Sequence, residues 1–205
     1  MPRRYRMSVR EANMEKTRQR IVEAAKSLHA DQGILGASYE AIAHRAGVSQ
    51  ATVYRHFPTL NDLIPACARS IHVLQPATPE LAESIFYGLS DPLERLERLI
   101  RGTCACYERD GAWLHAARRE EGLIPSLQEM ARQQRDTLRT LVRAALGEAT
   151  SERTECVLVA LLDVPFWRSL RNGGLSAEEA ADLIVELASD QFAKERVTAR
   201  WRGRQ

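Results

Sequence analysis

The chain has 205 residues, 29 Lys and Arg against 27 Asp and Glu, and a formal net charge of +2, enough for one or two domains with a sizeable core. Its four cysteines show no paired spacing, which excludes a disulfide framework and fits a reducing compartment. No stretch approaches the ~18 uninterrupted apolar residues of a membrane span, and the basic N-terminus lacks the apolar run of a secretory signal, so a cytoplasmic protein with no membrane partner is expected.

The charge is unevenly placed. Residues 1–65 carry 10 Lys and Arg against 6 Asp and Glu, whereas the remaining 140 carry 19 against 21. A basic first part suits contact with phosphates, although ordinary scatter of surface charge explains it equally well. Arg3, Arg4, Arg6 and Arg10 fall in a segment without helical period. It reads either as a flexible basic arm that lies along phosphates or enters a minor groove, or as a tail of no consequence.

The first predicted helix runs from about Ala12 to Gln32, with Ile21, Ala24, Ala25 and Leu28 forming an apolar stripe at three- and four-residue steps. His29 lies beside that stripe and reads as a packed residue rather than a ligand. Ser38 caps a short helix whose apolar side is Tyr39, Ile42, Ala43 and Ala46, and Gly47 follows where the chain needs a residue tolerant of positive φ. Ser49 caps the next helix, Gln50 to His56. There Val53 and Phe57 lie one turn apart, leaving Gln50, Ala51, Thr52, Tyr54, Arg55 and His56 largely uncovered. Pro58 stops it. Two short helices joined by a Gly-containing turn, the second polar outside, fit a helix-turn-helix with a recognition helix.

Thr59 with Asp62 starts a helix expected to reach Leu74. Thr78-Pro79 starts a short one to about Tyr87, and Asp91-Pro92 another that ends at Asp110-Gly111. A segment from Ala112 to Glu121 precedes a long helix from about Pro125 to Leu146. The last two predicted helices are Glu152 to Leu170, kinked at Pro165, and Ala177 to about Arg196, with Ser176 and Glu179 as a capping box. There is no strand pattern, so the expected class is all-α. Residues 1–65 form the helix-turn-helix domain with its basic arm, and 66–205 a second helical domain.

The residues of the first part match a known family. The helix with Ile21, Ala24, Ala25 and Leu28, then Gly33, Ser38, Ile42-Ala43, Ala46-Gly47-Val48-Ser49, Thr52-Val53-Tyr54-Arg55-His56-Phe57 and Leu63 closely resemble the DNA-binding domain of the tetracycline-repressor (TetR) family of bacterial transcription regulators. That is roughly a quarter of the chain, and the spacing of so many elements makes the signal specific. The resemblance implies a homodimer through the last two helices, a double-stranded DNA operator with palindromic half-sites, and a small-molecule effector bound among the middle helices. It implies DNA contact by Ser38, Ser49, Gln50, Ala51, Thr52, Tyr54, Arg55 and His56. Gln50, Ala51 and Thr52, with Arg55 beside them, face base edges; Ser49, Tyr54 and His56 meet phosphate. The chemistry agrees: Gln reads an adenine edge, Thr and Ala methyls meet a thymine methyl, and Tyr and His are phosphate donors. One position departs from the family, because the Lys usual after Phe-Pro-Thr is Leu60 here. Its phosphate contact is then lost or moved to Arg3, Arg4, Arg6 or the amides after Thr59.

Apolar walls with a few polar groups make a ligand pocket, and Tyr107, Trp113, His115, Arg118, Phe166 and Trp167 are the candidates, with plain core or interface as the other reading for each aromatic. Cys104 and Cys106 lie about 200° apart on a helix, which excludes a bridge between them. No nucleophile–base pair, phosphate loop or metal spacing is present, so neither an enzyme nor a cofactor is expected. A ligand-responsive repressor is the first function considered. The alternative is an effector-independent architectural or division-control protein with the same head.

Overall fold

The computed structural model describes residues 3–147 and 150–202, and the side chains of 10–147 and 150–195. Ten α-helices, two short 3-10 turns and no strand occur among the described residues, so the protein is all-α. The helices gather into two compact units, Met1–Ser70 with Ala112–Glu129, and Ile71–Gly111 with Met130–Gln205.

The first unit holds α1 (Arg3–Gln32), α2 (Tyr39–Ala46), α3 (Gln50–His56) and α4 (Leu60–Ala68). Helix α1 begins nine residues before the expected start, so the segment read as a flexible arm is helical from Arg3. Neither Gly nor Pro interrupts it after Arg3, and a helix already nucleated propagates through Arg, Met and Glu at little cost. The side chains of Arg3, Arg4 and Arg6 lie outside the described residues. Ile21, Ala25, Ile34, Ile42, Val53, Phe57, Leu63 and Ile64 are fully buried, each contributing about 1.5–3 kcal/mol for its larger side chains.

Helix α4 ends at Ala68 instead of running to Leu74, where a 3-10 turn, His72–Leu74, follows. Ile71, Val73 and Leu74 are all buried. Residues 71 and 73 of a continuous helix would point about 200° apart, so the break lets both reach the interior.

His29 of α1 is completely buried; its Nδ1 accepts from Trp113 Nε1 at 3.4 Å, and its Nε2 has no partner among the described residues. Burial lowers its pKa from 6.5 to about 4, against the opposing pull of the Glu120 carboxylate. The unfolded chain therefore binds a proton between pH 6.5 and 4 that the folded chain refuses. Stability is full above 6.5 and should fall by about 3 kcal/mol as pH drops to 4. Urea titrations across this range should show that loss, and His29→Phe should flatten it; an equally steep profile in the variant would remove His29 as its cause.

The second unit contains α5 (Pro79–Ile85), most of α6 (Pro92–Arg119) and of α7 (Pro125–Leu146), then α8 (Glu152–Leu161), α9 (Val164–Asn172) and α10 (Ala177–Arg202). The expected stop at Asp110-Gly111 does not occur. A helical glycine costs about 1 kcal/mol, less than burying Trp113, Leu114 and Ala116 beyond it returns. The single kinked helix expected over Glu152 to Leu170 is instead two. Asp163 caps α9 by accepting from Val164 N at 2.9 Å, and Pro165 sits in the first turn, where its missing N–H is no loss. Tyr107 donates its hydroxyl to the Leu162 carbonyl at 2.6 Å, satisfying an acceptor the break releases. Glu155 on α8 is buried yet ionic, held by Arg139 at 2.6 Å and Arg143 at 2.5 Å from α7. Beyond residue 195 the basic tail and Trp201 lie outside the described side chains.

Candidate nucleic-acid interface

The turn between α2 and α3 is built by side chains at each of its corners. Ser38 Oγ accepts from Ala41 N at 3.1 Å at the start of α2. At its end, Gly47 adopts φ 64°. Its N–H donates to the His44 carbonyl at 3.2 Å, and Val48 N donates to Ala43 at 3.0 Å, the paired bonds of a Schellman ending. A side chain at Gly47 would strain that φ and lie 2.9 Å from the Arg20 guanidinium. Arg20 itself donates to the carbonyls of Ala46 and Gly47, so α1 holds the turn directly. This residue escaped the sequence reading because it lies off the apolar stripe of α1. An arginine on the flank of that stripe, opposite a helix C-terminus, is the signal that could have found it.

Ser49 Oγ accepts from Thr52 N at 3.2 Å and pairs with Thr52 Oγ1 at 2.9 Å, which starts α3 and fixes the Thr52 rotamer. Val53 and Phe57 are fully buried, and the Arg18 guanidinium lies 4.4 Å from the Phe57 ring centre. Burying these two leaves the opposite face of α3 outward: Gln50, Ala51, Tyr54 and Arg55 are exposed, Thr52 and His56 half-buried. Tyr54 is 50% exposed and braced against Tyr39, ring centres 4.8 Å apart and 48° between planes. Arg55 has no hydrogen-bond or ion-pair partner among the described residues. Burial, then Arg55 and Arg18, lower the pKa of His56, so its imidazole is a neutral N–H donor near pH 7. Thr59 N and Oγ1 donate to Asp62 at 2.9 and 2.7 Å, closing the capping box that starts α4 with Leu60 half-buried.

The arrangement is a positively flanked, polar helix face on a rigid three-helix support, the geometry by which a helix-turn-helix enters a major groove. Residues 21–67 match the family model described as bacterial regulatory proteins, tetR family. The chain is 30% identical over 177 residues to the HTH-type transcriptional regulator BetI of Rhizobium meliloti, covering 82% of this chain and 86% of that one. The chain belongs to the TetR family. It is a DNA-binding transcriptional regulator. A shorter match, 38% identical over 76 residues, joins it to the HTH-type transcriptional repressor LfrR of Mycolicibacterium smegmatis, spanning 37% of this chain and 39% of that protein. In fold it is similar to a TetR-like transcriptional regulator from Rhodococcus sp. RHA1, TM-score 0.68 at 22% identity, covering 86% of this chain and 96% of the other.

The six residues expected to line a ligand pocket in this TetR-family regulator divide between the two units. Trp113, His115 and Arg118 belong to the first unit, Tyr107, Phe166 and Trp167 to the second. Trp113 bonds His29, and Arg118 pairs with Glu121 at 2.6 Å. The Tyr107 hydroxyl accepts from Gln134 Nε2 at 3.0 Å in addition to its bond to Leu162. The second unit does contain a cavity of about 350 Å³ between the 72–75 turn, α5, α6 and α7, lined by none of the six. Its α6 wall is Leu99, Gly102, Thr103 and Cys106, one helix face whose side chains are too small to fill it. Among the described residues no group of His, Cys, Asp and Glu is placed to hold a metal ion, and no helix is long and apolar enough to cross a membrane.

Proposed function

We propose that this TetR-family regulator is a repressor that binds a palindromic operator as a homodimer and is released by a small-molecule effector. Residues 1–65 serve as the DNA-binding head, and 66–205 serve for ligand binding and dimerisation through the last helices. One observation carries the DNA half of this reading. Helix α3 buries Val53 and Phe57 and turns Gln50, Ala51, Tyr54 and Arg55 to solvent, a spacing suited to base edges on one side and phosphates on the other. Arg55, with no hydrogen-bond or ion-pair partner among the described residues, suits a phosphate or a guanine edge. Ser38, Ser49 and Thr52 supply hydroxyls at the two helix starts, and the neutral His56 a phosphate donor. The cavity of the second unit supports the effector half, because its wall is largely apolar with a few polar groups at its edge. Covalent continuity gives the two halves a connection, since α6 runs from the cavity wall at Leu99 to Arg119 in the first unit without interruption.

The two kinds of contact separate in one experiment. Tyr54→Phe should weaken binding to operator and to random duplex alike, by about fivefold for one lost phosphate hydrogen bond. Gln50→Ala should instead relax sequence preference at one base position by about tenfold, leaving non-specific affinity unchanged. Fluorescence anisotropy on operator and scrambled duplexes reads both. If neither variant departs from the parent, α3 is not the recognition helix.

A further inference from the structure

The walls of the cavity in the second unit are aliphatic, with Leu81, Ile85, Leu99, Leu138 and Leu141 facing it. Two of the polar groups at its edge are engaged within the protein, while His72 and Thr103 also line it. Thr137 Oγ1 donates to the Gln75 carbonyl at 2.9 Å, and Gln75 Nε2 donates to that of Ile71 at 3.4 Å. Among the described residues no carboxylate lines it, and Arg98 does. The other arginines of α6 are held: Arg95 by the carbonyls of Leu89 and Ala144 at 2.9 and 3.2 Å, Arg101 by Glu97 and Asp182 at 2.7 and 2.8 Å, Arg109 by Asp110 at 2.8 Å, and Arg118 and Arg119 by Glu121 and Glu120 at 2.6 and 3.1 Å. Arg98 is exposed and has no hydrogen-bond or ion-pair partner among the described residues. Each of the other five arginines of α6 thus has an acceptor within the protein, a carboxylate for four of them and backbone carbonyls for Arg95.

We infer that this cavity takes an organic monoanion, a moderately sized apolar body bearing one carboxylate, with the body on the leucine wall and the carboxylate on Arg98. The inference rests on the ligand response proposed above and specifies its chemistry. A guanidinium meets a carboxylate with two parallel hydrogen bonds and without deprotonating. A cation placed there faces like charge with no carboxylate to offset it. At interior packing density about 350 Å³ holds roughly 260 Å³ of ligand atoms, room for a medium fatty chain or a fused aromatic pair and not for a large multi-ring compound.

Isothermal titration of the full chain with decanoate, 2-naphthoate, their two amides and decyltrimethylammonium tests this, alongside release of operator DNA by the same compounds. At least one carboxylate should bind tenfold or more tightly than its amide and than the ammonium, the two acids separating an aliphatic from an aromatic body. Arg98→Gln should remove that preference and leave amide binding unchanged, the exposed position sparing the fold. Gly102→Leu should remove all binding without lowering the unfolding temperature, because an added Cβ at this helical position meets nothing within 4 Å. Equal or tighter binding of an amide or the ammonium, no binding by either acid, or an unchanged preference in Arg98→Gln overturns the inference. Acids that bind through Arg98 without releasing DNA would uphold it and count against the effector reading. Release by the ammonium or an amide but by neither acid would do the reverse.

Discussion

Phe57→Ala should destabilise the first unit by about 3–5 kcal/mol and remove operator binding with it. Phe57 is fully buried at the end of α3, donates its N–H to the Val53 carbonyl at 2.8 Å, and lies beneath the Arg18 guanidinium at 4.4 Å. Truncation removes the apolar contact, leaves a cavity that three short helices cannot collapse, and leaves Arg18 without its ring. A seven-residue helix such as α3 has no stability of its own, so its orientation depends on the two side chains it buries. Against a total stability of about 5–15 kcal/mol for a domain, the loss is a large fraction. Urea denaturation followed by tryptophan fluorescence should show a lower midpoint at unchanged slope. A loss below about 1 kcal/mol would mean that Phe57 does not anchor α3.

The second large effect is expected at Glu120, which nothing in the spacing of Arg118-Arg119-Glu120-Glu121 distinguishes from a solvated charge run. Its carboxylate is buried, accepts from Leu35 N at 2.7 Å and Ile34 N at 3.2 Å, and pairs with Arg119 at 3.1 Å. Burial pushes its pKa up, but the Leu35 amide, Arg119 and the Ile34 amide outweigh it and hold the net value below the ordinary carboxylate range. The stability it contributes is present above the unfolded pKa and is lost as pH falls through the lower folded one. Glu120→Ala leaves the two amides of the α1–α2 turn without acceptors and should cost about 2–4 kcal/mol. Glu120→Gln keeps one acceptor oxygen and should cost about half as much. Hydrogen exchange should report the difference at its source, with the Ile34 and Leu35 amides deprotected first in Glu120→Ala. Unchanged protection there would assign the stability loss elsewhere.

Most of what positions α3 is local chemistry, and local chemistry was legible. Ser38, Gly47, Ser49, the Thr59–Asp62 pair and the Ser176–Glu179 pair each act within four residues, so their spacing alone places the helix ends. Two features needed tertiary information, and a third, at Pro165, is local but masked by the apolar period. Gly111 ends a helix only if nothing beyond it must be buried, and Trp113 and Leu114 must be. Pro165 was placed mid-helix because the apolar period continues through it, yet Asp163 two residues earlier makes it a first-turn proline. The space beside α6 depends on what the neighbouring helices leave unfilled. Gly102 and Cys106 leave it open, and Arg98 acquires meaning only once its neighbours on α6 are seen to be paired.

Footprinting the purified chain on the DNA flanking its own gene tests the central claim most directly. Protection of a partly palindromic site, with half-site centres about one helical turn or a multiple apart, abolished in a Tyr54→Ala, Arg55→Ala double variant that retains the parent's unfolding midpoint, is the predicted result. Protection that persists in that variant, or a protected site without two-fold symmetry, would contradict a dimer reading DNA through α3.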